Sequence, residues 1–389
     1  MNTTLPTLAK LRPDPHWVKL PLFDRKGWRT VRFGDVVRML KEQVDPVAEG
    51  VERYVAGEHM ETENVHIRKW GNVGDGYLGP ALIRRFRKGQ VLYGSRRTYL
   101  KKVALAEWDG VTANTTFVLE AVEGKLLQKL LPWLMLSERF TKHSIQESKG
   151  STNPYINFPD IAKFEFALPP LDQQRRIAEI LWSVDEELNS FLEVRTALET
   201  FRKSLFGKQL AVFEAKPLSQ VADFLDGKRV PLSEKMRAKR KGPYPYYGAS
   251  GVIDSVDDFL FAEPLVLLSE DGFNLVNRTS RIAFKVEGKV WVNNHAHVLR
   301  PSPGMNIDFL ADYLESISVE PYITGTYQRK LNKSECERIP IPFPPPAVQE
   351  NIAATIARSA GSISAINNHI AASRDLVSAL LSQISEDCR

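Results

Sequence analysis

Cysteine is almost absent from this chain, which contains only Cys336 and Cys388. Two cysteines cannot by themselves form a disulfide framework or a four-ligand zinc site. The sequence also has no run of eighteen apolar residues, and residues 1–19 lack the hydrophobic core of a signal peptide. These absences predict neither secretion nor membrane insertion, so we expect a reduced, cytoplasmic protein.

Catalytic motifs are also scarce. The sequence contains no HExxH, GxSxG or Walker pattern. Residues 74–79 spell GxGxxG, but Pro80 follows directly and no acidic residue lies about twenty positions further on, so we interpret this segment as a tight turn. Residues 153–155 (NPY) lack the second proline of the Asn-Pro-Pro-Tyr loop of adenine methyltransferases. His295 and His297 have no cysteine or acidic residue beside them in the sequence, which predicts a polar surface rather than a metal site.

Positive charge is concentrated in local clusters. The net charge is +5, and residues 1–170 carry 26 Lys and Arg against 19 Asp and Glu. Two basic segments with aromatic residues, 84–88 and 96–102, lie in this first part, and residues 235–247 form a third. Cations on one face suit phosphate groups, while polar loops suit base edges. The candidate nucleic-acid-binding residues are Arg84, Arg85, Lys88, Arg96, Arg97, Tyr99, Lys101, Lys102, Ser151, Thr152, Lys239, Arg240, Tyr246, Tyr247, Ser250, Asn293, Asn294, Gln328 and Lys330.

The two halves of the chain resemble each other. An offset of 175 aligns residues 150–157 with 325–332, the prolines at 169–170 with those at 344–345, and Gln174 with Gln349. The offset drifts to 180 between 117–119 and 297–299, as loop insertions would allow. So many matches in one order indicate a tandem duplication. In each half, short β-branched or aromatic runs predict strands (90–93, 115–119, 265–268 and 289–292), and residues 126–138 and 307–318 predict helices.

Each half ends in a long segment with an apolar residue at every seventh position. In 172–209 a second apolar line, Leu181, Leu188, Val194 and Phe201, accompanies the first. A stripe of period seven is typical of a coiled coil. The first segment would form a rod of roughly 55 Å, longer than a domain of about 150 residues is wide. We therefore expect the two stripes to pack on each other, antiparallel, as a rigid spacer between two related globules. The alternative is that each helix packs on its own domain. The candidate interface residues are Ile177, Val184, Phe191, Leu198, Leu205, Ile356, Ile363, Ile370, Val377 and Ile384.

The sequence resembles the specificity subunits of type I restriction-modification systems. Residues 168–181 (LPPLDQQRRIAEIL) are similar to the segment that opens the first spacer helix of that family, and residues 343–353 (FPPPAVQENIA) are a second copy that has lost several charges. Residues 93–97, 102–106, 109–110 and 245–251 resemble the middle of its target recognition domains. The resemblance covers nearly the whole chain after the first twenty residues.

The resemblance implies an α+β fold with two tandem-repeat target recognition domains separated by two long antiparallel coiled-coil helices. The corresponding boundaries are an N-terminal extension (1–19), recognition domain 1 (20–170), spacer helix 1 (171–213), recognition domain 2 (214–345) and spacer helix 2 (346–389). Each domain would read one half of an asymmetric bipartite duplex DNA target. Arg96, Arg97, Tyr246, Tyr247 and Ser250 lie in segments that the resemblance places near DNA.

The resemblance also implies partners and a division of labour. Two methyltransferase subunits, which bind S-adenosylmethionine and methylate adenine, would dock on the helices. Restriction and translocase subunits would join them in defence against foreign DNA in a bacterial or archaeal cytoplasm. The chain itself would bind no cofactor and would not be an enzyme. Two alternatives stay open, namely a coiled-coil scaffold that binds only proteins and a standalone methyltransferase or nuclease.

The two predicted domains differ at one loop. Residues 269–272 (SEDG) stand where the first half has 95–98 (SRRT). The acidic pair would repel phosphate, but a carboxylate can accept a hydrogen bond from a cytosine amino group. We therefore expect the two halves to read different sequences.

Overall fold

The computed structural model describes residues 25–76, 79–207, 210–325 and 329–385. The chain divides into two compact units. Unit 1 consists of Met1–Leu192 and Asn367–Arg389, and unit 2 consists of Glu193–Ile366. Among the described residues, no helix has both the length and the apolar character that crossing a membrane requires.

Unit 1 combines three small antiparallel or mixed sheets with short helices. Its sheets have the strand orders β1-β10, β2-β9-β6-β7 and β4-β3-β8-β5. In chain order its elements are β1 (Arg29–Arg32), α1 (Phe33–Val36), β2 (Val37–Leu40), β3 (Arg53–Val55), β4 (Gly71–Asn72), β5 (Arg84–Phe86), β6 (Val91–Gly94), β7 (Val103–Leu105), β8 (Gly110–Thr112), β9 (Thr116–Ala121), α2 (Leu131–Leu136), α3 (Glu138–Gln146), α4 (Phe158–Ile161), β10 (Glu165–Leu168) and the long helix α5 (Leu171–Leu205).

Unit 2 repeats this plan. Its sheets have the orders β11-β19, β12-β18-β15-β16 and β14-β13-β17. Its elements are β11 (Ala215–Pro217), α6 (Leu218–Val221), β12 (Ala222–Phe224), α7 (Glu234–Lys239), β13 (Tyr244–Gly248), β14 (Gly251–Val256), β15 (Leu265–Ser269), α8 (Asn274–Asn277), β16 (Ala283–Val286), β17 (Trp291–Val292), β18 (Ala296–Pro301), α9 (Ile307–Ser316), α10 (Lys333–Cys336), β19 (Pro340–Pro342) and the long helix α11 (Pro346–Ser385).

The pairing of the strands agrees with the duplication predicted from the sequence. β2, β9, β6 and β7 correspond in order to β12, β18, β15 and β16, and each unit has a single described parallel pair, β3 with β8 or β13 with β17. All four sequence-predicted strands exist, within two residues of the expected ends. A buried apolar core fills each unit because the strands of the four-stranded sheets are apolar along most of their length.

The helix predicted over residues 126–138 is only partly present. The chain forms turns before Leu131, and the helix α2 ends at Leu136. Pro132 fits only the first turn of a helix because it has no N–H to donate. Ser137 then adopts an extended conformation, and its hydroxyl accepts a hydrogen bond from the backbone N–H of Phe140, which begins the separate helix α3.

A buried glutamine attaches the start of α5 to unit 1. The Gln174 side chain is 1% exposed. Its Oε1 accepts from the backbone N–H of Leu127 at 2.7 Å, and its Nε2 donates to the carbonyls of Lys125 at 3.0 Å and Pro169 at 2.9 Å. The amide therefore joins a loop of the domain to the proline turn from which the helix begins.

Gln349 makes the same three hydrogen bonds at the start of α11. Its Oε1 accepts from the backbone N–H of Asn306 at 2.7 Å, and its Nε2 donates to the carbonyls of Gly304 at 2.9 Å and Pro344 at 2.8 Å. The side chain is fully buried. The repeated proline–glutamine motif is therefore a bracket that fixes the helix to the domain before it.

Each unit contains parts of both long helices, running in opposite directions. In unit 1, Ile177 and Leu181 near the start of α5 share the core with Leu380 and Ile384 near the end of α11. In unit 2 the same holds for the end of α5 and the start of α11, with Leu205 and Ile356 in one cluster. Within unit 1 the rings of Phe191 and His369 stack with their centroids 5.0 Å apart. The end of α11 thus packs in unit 1 and not on the domain that precedes it, which excludes the alternative in which each helix covers its own domain.

The apolar stripe of period seven, here called the seam, is buried or half-buried along both helices. All ten predicted seam residues, from Ile177 to Leu205 and from Ile356 to Ile384, are buried or half-buried. The second predicted line on α5 is wrong in its later part, because Val194 is 50% exposed and Phe201 is 44% exposed. Leu181 and Leu188 follow the seam by four residues, whereas Val194 and Phe201 follow it by three. At 3.6 residues per turn these two spacings lie on opposite flanks of the seam.

Candidate nucleic-acid interface

Two polar loops far apart in the sequence meet in unit 1. Backbone bridges join Arg96 to Tyr155 and Lys149 to Tyr155. The N–H of Arg97 donates to the carbonyl of Pro154 at 2.7 Å. We call residues 95–100 and 149–156 the unit 1 loop pair. Its two segments correspond to two of the polar clusters that the sequence singled out.

Two cations of the unit 1 loop pair, Arg96 and Arg97, have no carboxylate partner among the described residues, whereas Lys149 pairs with Asp160 at 3.0 Å. Arg96 and Arg97 are exposed, and neither guanidinium has a hydrogen bond or ion pair with a described residue. Tyr99 beside them is 51% exposed, and Ser151 and Thr152 are exposed on the facing loop. Arginine with hydroxyl side chains is a donor set suited to phosphates and to the acceptor edge of guanine.

Several other predicted cations of the first half already have internal partners. Arg85 pairs with Glu49 at 2.8 Å, and the Arg84 guanidinium donates to the carbonyl of Leu40 at 3.2 Å. Lys101 is 14% exposed and pairs with Glu63 and Glu138, and Lys102 donates to the carbonyl of Gly57. These partners make the four side chains poor phosphate ligands, although all four remain close to the sheet that carries the loops. Lys88 is exposed at a turn outside the loop pair.

The equivalent loops of unit 2 meet in the same way. Backbone bridges join Asp271 to Lys330 and Thr324 to Lys330, each 175 residues after its counterpart in unit 1. The N–H of Gly272 donates to the carbonyl of Arg329 at 3.3 Å. We call residues 270–274, 324–325 and 329–331 the unit 2 loop pair; the predicted residue Gln328 lies outside the described residues. The pairing aligns Asp271 with Arg96 and Glu270 with Ser95, as the offset of 175 predicts and one residue away from the comparison of 269–272 with 95–98.

A buried ionic network underlies the unit 2 loop pair. The Glu270 carboxylate accepts from Arg229 at 2.5 Å and pairs with Lys330 at 3.0 Å. Asp226 lies 2.7 Å from Nδ1 of His297, whose Nε2 faces the carbonyl of Leu331 at 2.7 Å. His297 is 1% exposed, which corrects the prediction of a polar surface at this histidine. The network fastens the strand end, the loop and β18 to one another.

Ionisation of both carboxylates is favoured by this network. Burial opposes the charge of Glu270, but the hydrogen bonds from Arg229 and Lys330 outweigh it and hold the pKa of Glu270 below its ordinary value. Burial likewise opposes the charge of Asp226, and the contact with His297 holds that pKa low. Ligand atoms of Asp226, Glu270 and His297 lie within 4.8 Å of one another, as in a metal site. Arg229 ion-pairs with both carboxylates, and Lys330 ion-pairs with Glu270. Because these cations already compensate the carboxylates, we interpret Asp226, Glu270 and His297 as part of an ion-pair network.

Two predicted contacts of unit 2 are corrected by burial. Tyr246 is 1% exposed, and its hydroxyl accepts from the backbone N–H of Leu232 at 2.9 Å, so it belongs to the core. Asn293 is 5% exposed, and its Oδ1 accepts from the backbone N–H of His295 at 2.8 Å. Neither side chain is therefore available to a ligand at the surface.

The remaining predicted residues of unit 2 are spread over several surfaces. Lys239 and Asn294 are exposed without a side-chain partner among the described residues. Arg240 pairs with Asp257 at 2.9 Å and lies over the ring of Trp291. Tyr247 is half-buried against Phe284, and Ser250 accepts a hydrogen bond from Asn274. Of these, Ser250 has a hydrogen bond to the loop pair, through Asn274.

Sequence reasoning missed several residues at these sites. Phe273 is 72% exposed in the unit 2 loop pair, and Tyr155 is 42% exposed in the unit 1 loop pair. The offset of 175, which aligns Phe273 with Thr98, could have marked the first one. His66 was also missed; it joins the recognition part of unit 1 to α5.

His66 lies between two carboxylates. Its Nε2 is 2.6 Å from Asp185 on α5, and its Nδ1 is 3.0 Å from Glu107. The hydrogen bond with Asp185 raises the pKa of His66 above its ordinary value of 6.5, against the effect of burial, and Glu107 adds to the rise. The ring therefore joins a loop of the domain to the helix about four turns after its start.

Comparison with known protein families identifies the family of the chain that carries these loop pairs. The sequence profile described as "Type I restriction modification DNA specificity domain" matches twice, over residues 25–198 and 212–372. The chain belongs to this family. Each match contains one loop pair and most of the following long helix, so the repeat unit of the specificity family is the repeat unit found here.

Relatives of this specificity protein occur in bacteria and archaea. A Haemophilus influenzae protein, whose name proposes a type I restriction enzyme specificity subunit, is 37% identical over 158 residues (41% of this chain and 38% of the relative). The EcoDI specificity subunit of Escherichia coli is 24% identical over 233 residues (55% and 49%). The MjaVIII specificity subunit of Methanocaldococcus jannaschii is 25% identical over 258 residues (57% and 54%). The chain therefore matches about half or less of the length of each.

Solved structures share the fold. The S subunit of a type I restriction-modification system from M. genitalium superposes with a TM-score of 0.61 at 15% identity, over 95% of this chain and 99% of that one. A chain from a study of complex assembly and conformational transition of the type I system gives 0.55 at 20% identity, over 93% and 99%. The specificity chain thus has the fold predicted from its sequence, with tandem α+β recognition domains and two long antiparallel helices.

Proposed function

We propose that this chain directs a type I restriction-modification complex to its DNA target, with each unit reading one half of an asymmetric bipartite site. One observation carries the proposal: the same backbone framework presents, at the same strand end, two loop pairs with different side chains. Identical loops would read identical half-sites. Arg96 in one unit and Asp271 in the other offer opposite hydrogen-bonding character, so the two half-sequences differ.

In unit 1 the reading surface is the loop pair with its two unpaired arginines. Arg96 and Arg97 follow a buried strand and are held by backbone hydrogen bonds to the facing loop, which fixes their direction without using their guanidinium groups. An arginine of this kind can make a bidentate contact to guanine or neutralise a phosphate. Ser151 and Thr152 supply shorter donors and acceptors at the same surface.

We further propose that catalysis lies in partner subunits. Methyltransferase subunits that bind S-adenosylmethionine would dock on the long helices, two for each chain, and restriction subunits would join them. Val194 and Phe201, 50% and 44% exposed on one flank of α5, support docking of this kind, because they form an apolar line seven residues apart that no described residue covers. The chain itself would hold no cofactor and act in the cytoplasm.

A selection experiment tests the proposal. The complex assembled with its methyltransferase subunits is incubated with duplexes of random sequence, and the bound fraction is sequenced. We expect two unlike half-sequences at a fixed gap. Binding without any sequence preference, or no salt-sensitive DNA binding at all, would instead support a protein scaffold. Methylation or cleavage by the purified chain alone, with magnesium and S-adenosylmethionine, would support the enzyme alternative.

The length of the gap between the two selected half-sequences tests whether the long helices act as a spacer. Removing seven residues from α5 (191–197) together with seven from α11 (363–369) shortens both helices by about 10 Å. We expect the selected gap to shrink by about three base pairs, with both half-sequences unchanged. An unchanged gap would show that the helices do not set the spacing.

A further inference from the structure

Asp271 occupies the position in unit 2 that Arg96 occupies in unit 1. Each residue is the second after a buried strand, β15 for Asp271 and β6 for Arg96, and these strands hold corresponding places in the two units. Each also bridges the corresponding residue of the facing loop, Lys330 for Asp271 and Tyr155 for Arg96. If the unit 1 loop pair reads bases through Arg96, the geometry of the repeat places Asp271 against the same part of the groove.

Of the two acids in this loop, only Asp271 is available. Glu270 is 8% exposed, and its carboxylate is used by Arg229 and Lys330. The Asp271 side chain is 34% exposed; its Oδ2 lies 2.8 Å from Nδ1 of His295, while no described residue donates to its Oδ1. Glu270 therefore supports the loop, and Asp271 has one oxygen free to accept from outside.

His295 fixes the direction of that carboxylate. The ring is 51% exposed, and the backbone N–H of His295 is held by the buried Asn293 at 2.8 Å. The Lys330 ammonium lies on the facing loop and offsets the negative charge of Glu270, with which it pairs at 3.0 Å. The surroundings thus hold an acidic acceptor at a surface that a polyanion can approach.

We propose that Asp271 determines the specificity of unit 2 by accepting a hydrogen bond from the exocyclic amino group of a cytosine in the major groove. This inference rests on the proposed function. A carboxylate only accepts, so it is repelled by the acceptors of guanine (O6, N7) and thymine (O4). Adenine places its N7 acceptor beside its amino group, whereas cytosine presents the amino donor alone. Cytosine is therefore the base that this position favours.

The test uses the complex with its methyltransferase subunits and the duplex that the wild-type complex selects. The unit 2 half-site is the half whose sequence the double variant Arg96→Ala, Arg97→Ala leaves unchanged. In that half, each cytosine is replaced in turn by 2-pyrimidinone, which lacks the amino group. We expect one replacement to weaken wild-type binding about tenfold, the effect of losing a hydrogen bond to a charged group.

The Asp271→Ala variant, which removes the acceptor altogether, completes a double-mutant cycle. We expect it to lose its preference for cytosine at that position, to be insensitive to the 2-pyrimidinone replacement, and to select an unchanged unit 1 half-site. Glu287→Ala, which removes an exposed carboxylate of unit 2 outside the loop pair, is the matched control and should behave as wild type. If Asp271→Ala keeps the cytosine preference, or the unit 2 half-site contains no cytosine, the inference is wrong while the proposed function stands. A wild-type complex that selects no half-sequences would overturn both.

Discussion

Units 1 and 2 share a strand order but support their loops by different means. In unit 1, Phe117 of β9 packs among aromatic rings, with its centroid 6.1 Å from Tyr93 and 6.3 Å from Phe158. In unit 2 the residue 180 positions later is His297, which lies in the ionic network with Asp226. An apolar support tolerates small changes, whereas buried charges depend on each partner. The duplicated framework has thus been kept while the residues that support the loops and the side chains on the loops have diverged.

Disruption of the ionic network should produce the largest difference in stability between the two units. Arg229→Met removes the closest cation of the buried Glu270 and a longer contact with Asp226, which should destabilise unit 2 by about 3 kcal/mol. The matched change in unit 1, Ser95→Ala, removes one hydrogen bond and should cost about 1 kcal/mol. Hydrogen exchange of peptides from each unit measures the two effects separately. Equal destabilisation of both units would contradict the different supports.

Substitution of Gln174 and Gln349 tests the hydrogen bonds by which both units hold the start of a long helix. Gln174→Leu and Gln349→Leu each remove the amide that pairs with three partly or fully buried backbone groups, so each should destabilise its own unit by about 2 kcal/mol. Urea unfolding followed by hydrogen exchange in each unit reports both. A large effect at only one of the two positions would mean that the brackets are not equivalent.

The unpaired arginines test the charge difference between the loop pairs. Arg96→Ala with Arg97→Ala should weaken binding of the assembled complex about tenfold and lower the salt slope by about one for each phosphate that is no longer neutralised. Arg32→Ala with Lys69→Ala, two exposed cations of unit 1 outside the loop pair, serves as the control. Titrations at several salt concentrations in which both double variants weaken binding equally would remove Arg96 and Arg97 from the interface.

The smallest expected effect depends on pH and on His66. Since the folded state raises the pKa of His66 above its ordinary value of 6.5, its contact with Asp185 stabilises unit 1 fully below that pH and loses this contribution as pH rises through the folded pKa. The offset of 175 places Ala360 at the corresponding point of α11, so the start of that helix should lack the pH dependence that this contact gives α5. Hydrogen exchange at pH 6 and pH 8 compares the stability of the start of α5 with that of the start of α11. His66→Gln should abolish the difference, and a pH dependence that survives the substitution would assign it to another group.

The duplication and the long helices could be predicted from the sequence because they depend on local periodicity and on matches at one offset. Gln174 and Gln349 were found as a repeated pair, but their hydrogen bonds were not, since Leu127 and Asn306 lie in loops about 45 residues away. The candidate site was harder. Arg85 and Arg96 look alike in the sequence, and only the fold brings Glu49 to one of them and leaves the other free.

Burial accounts for the other errors. Tyr246 and Tyr247 are adjacent in β13, and alternation along a strand places only one of them in the core, but the sequence does not say which. His297 appeared to lack an acidic partner because Asp226 is 71 residues away. Long-range pairing of charges is decided by the packing of strands from distant segments, which a single sequence does not reveal.

Mapping of methylated adenines in cells with and without this gene tests the central claim most directly. If two diverged units each read their own half of the target, the methylation that depends on the gene should fall in one bipartite motif with unlike halves and a constant gap. A motif with identical halves, a motif with a single half, or methylation that does not change when the gene is removed would contradict the account.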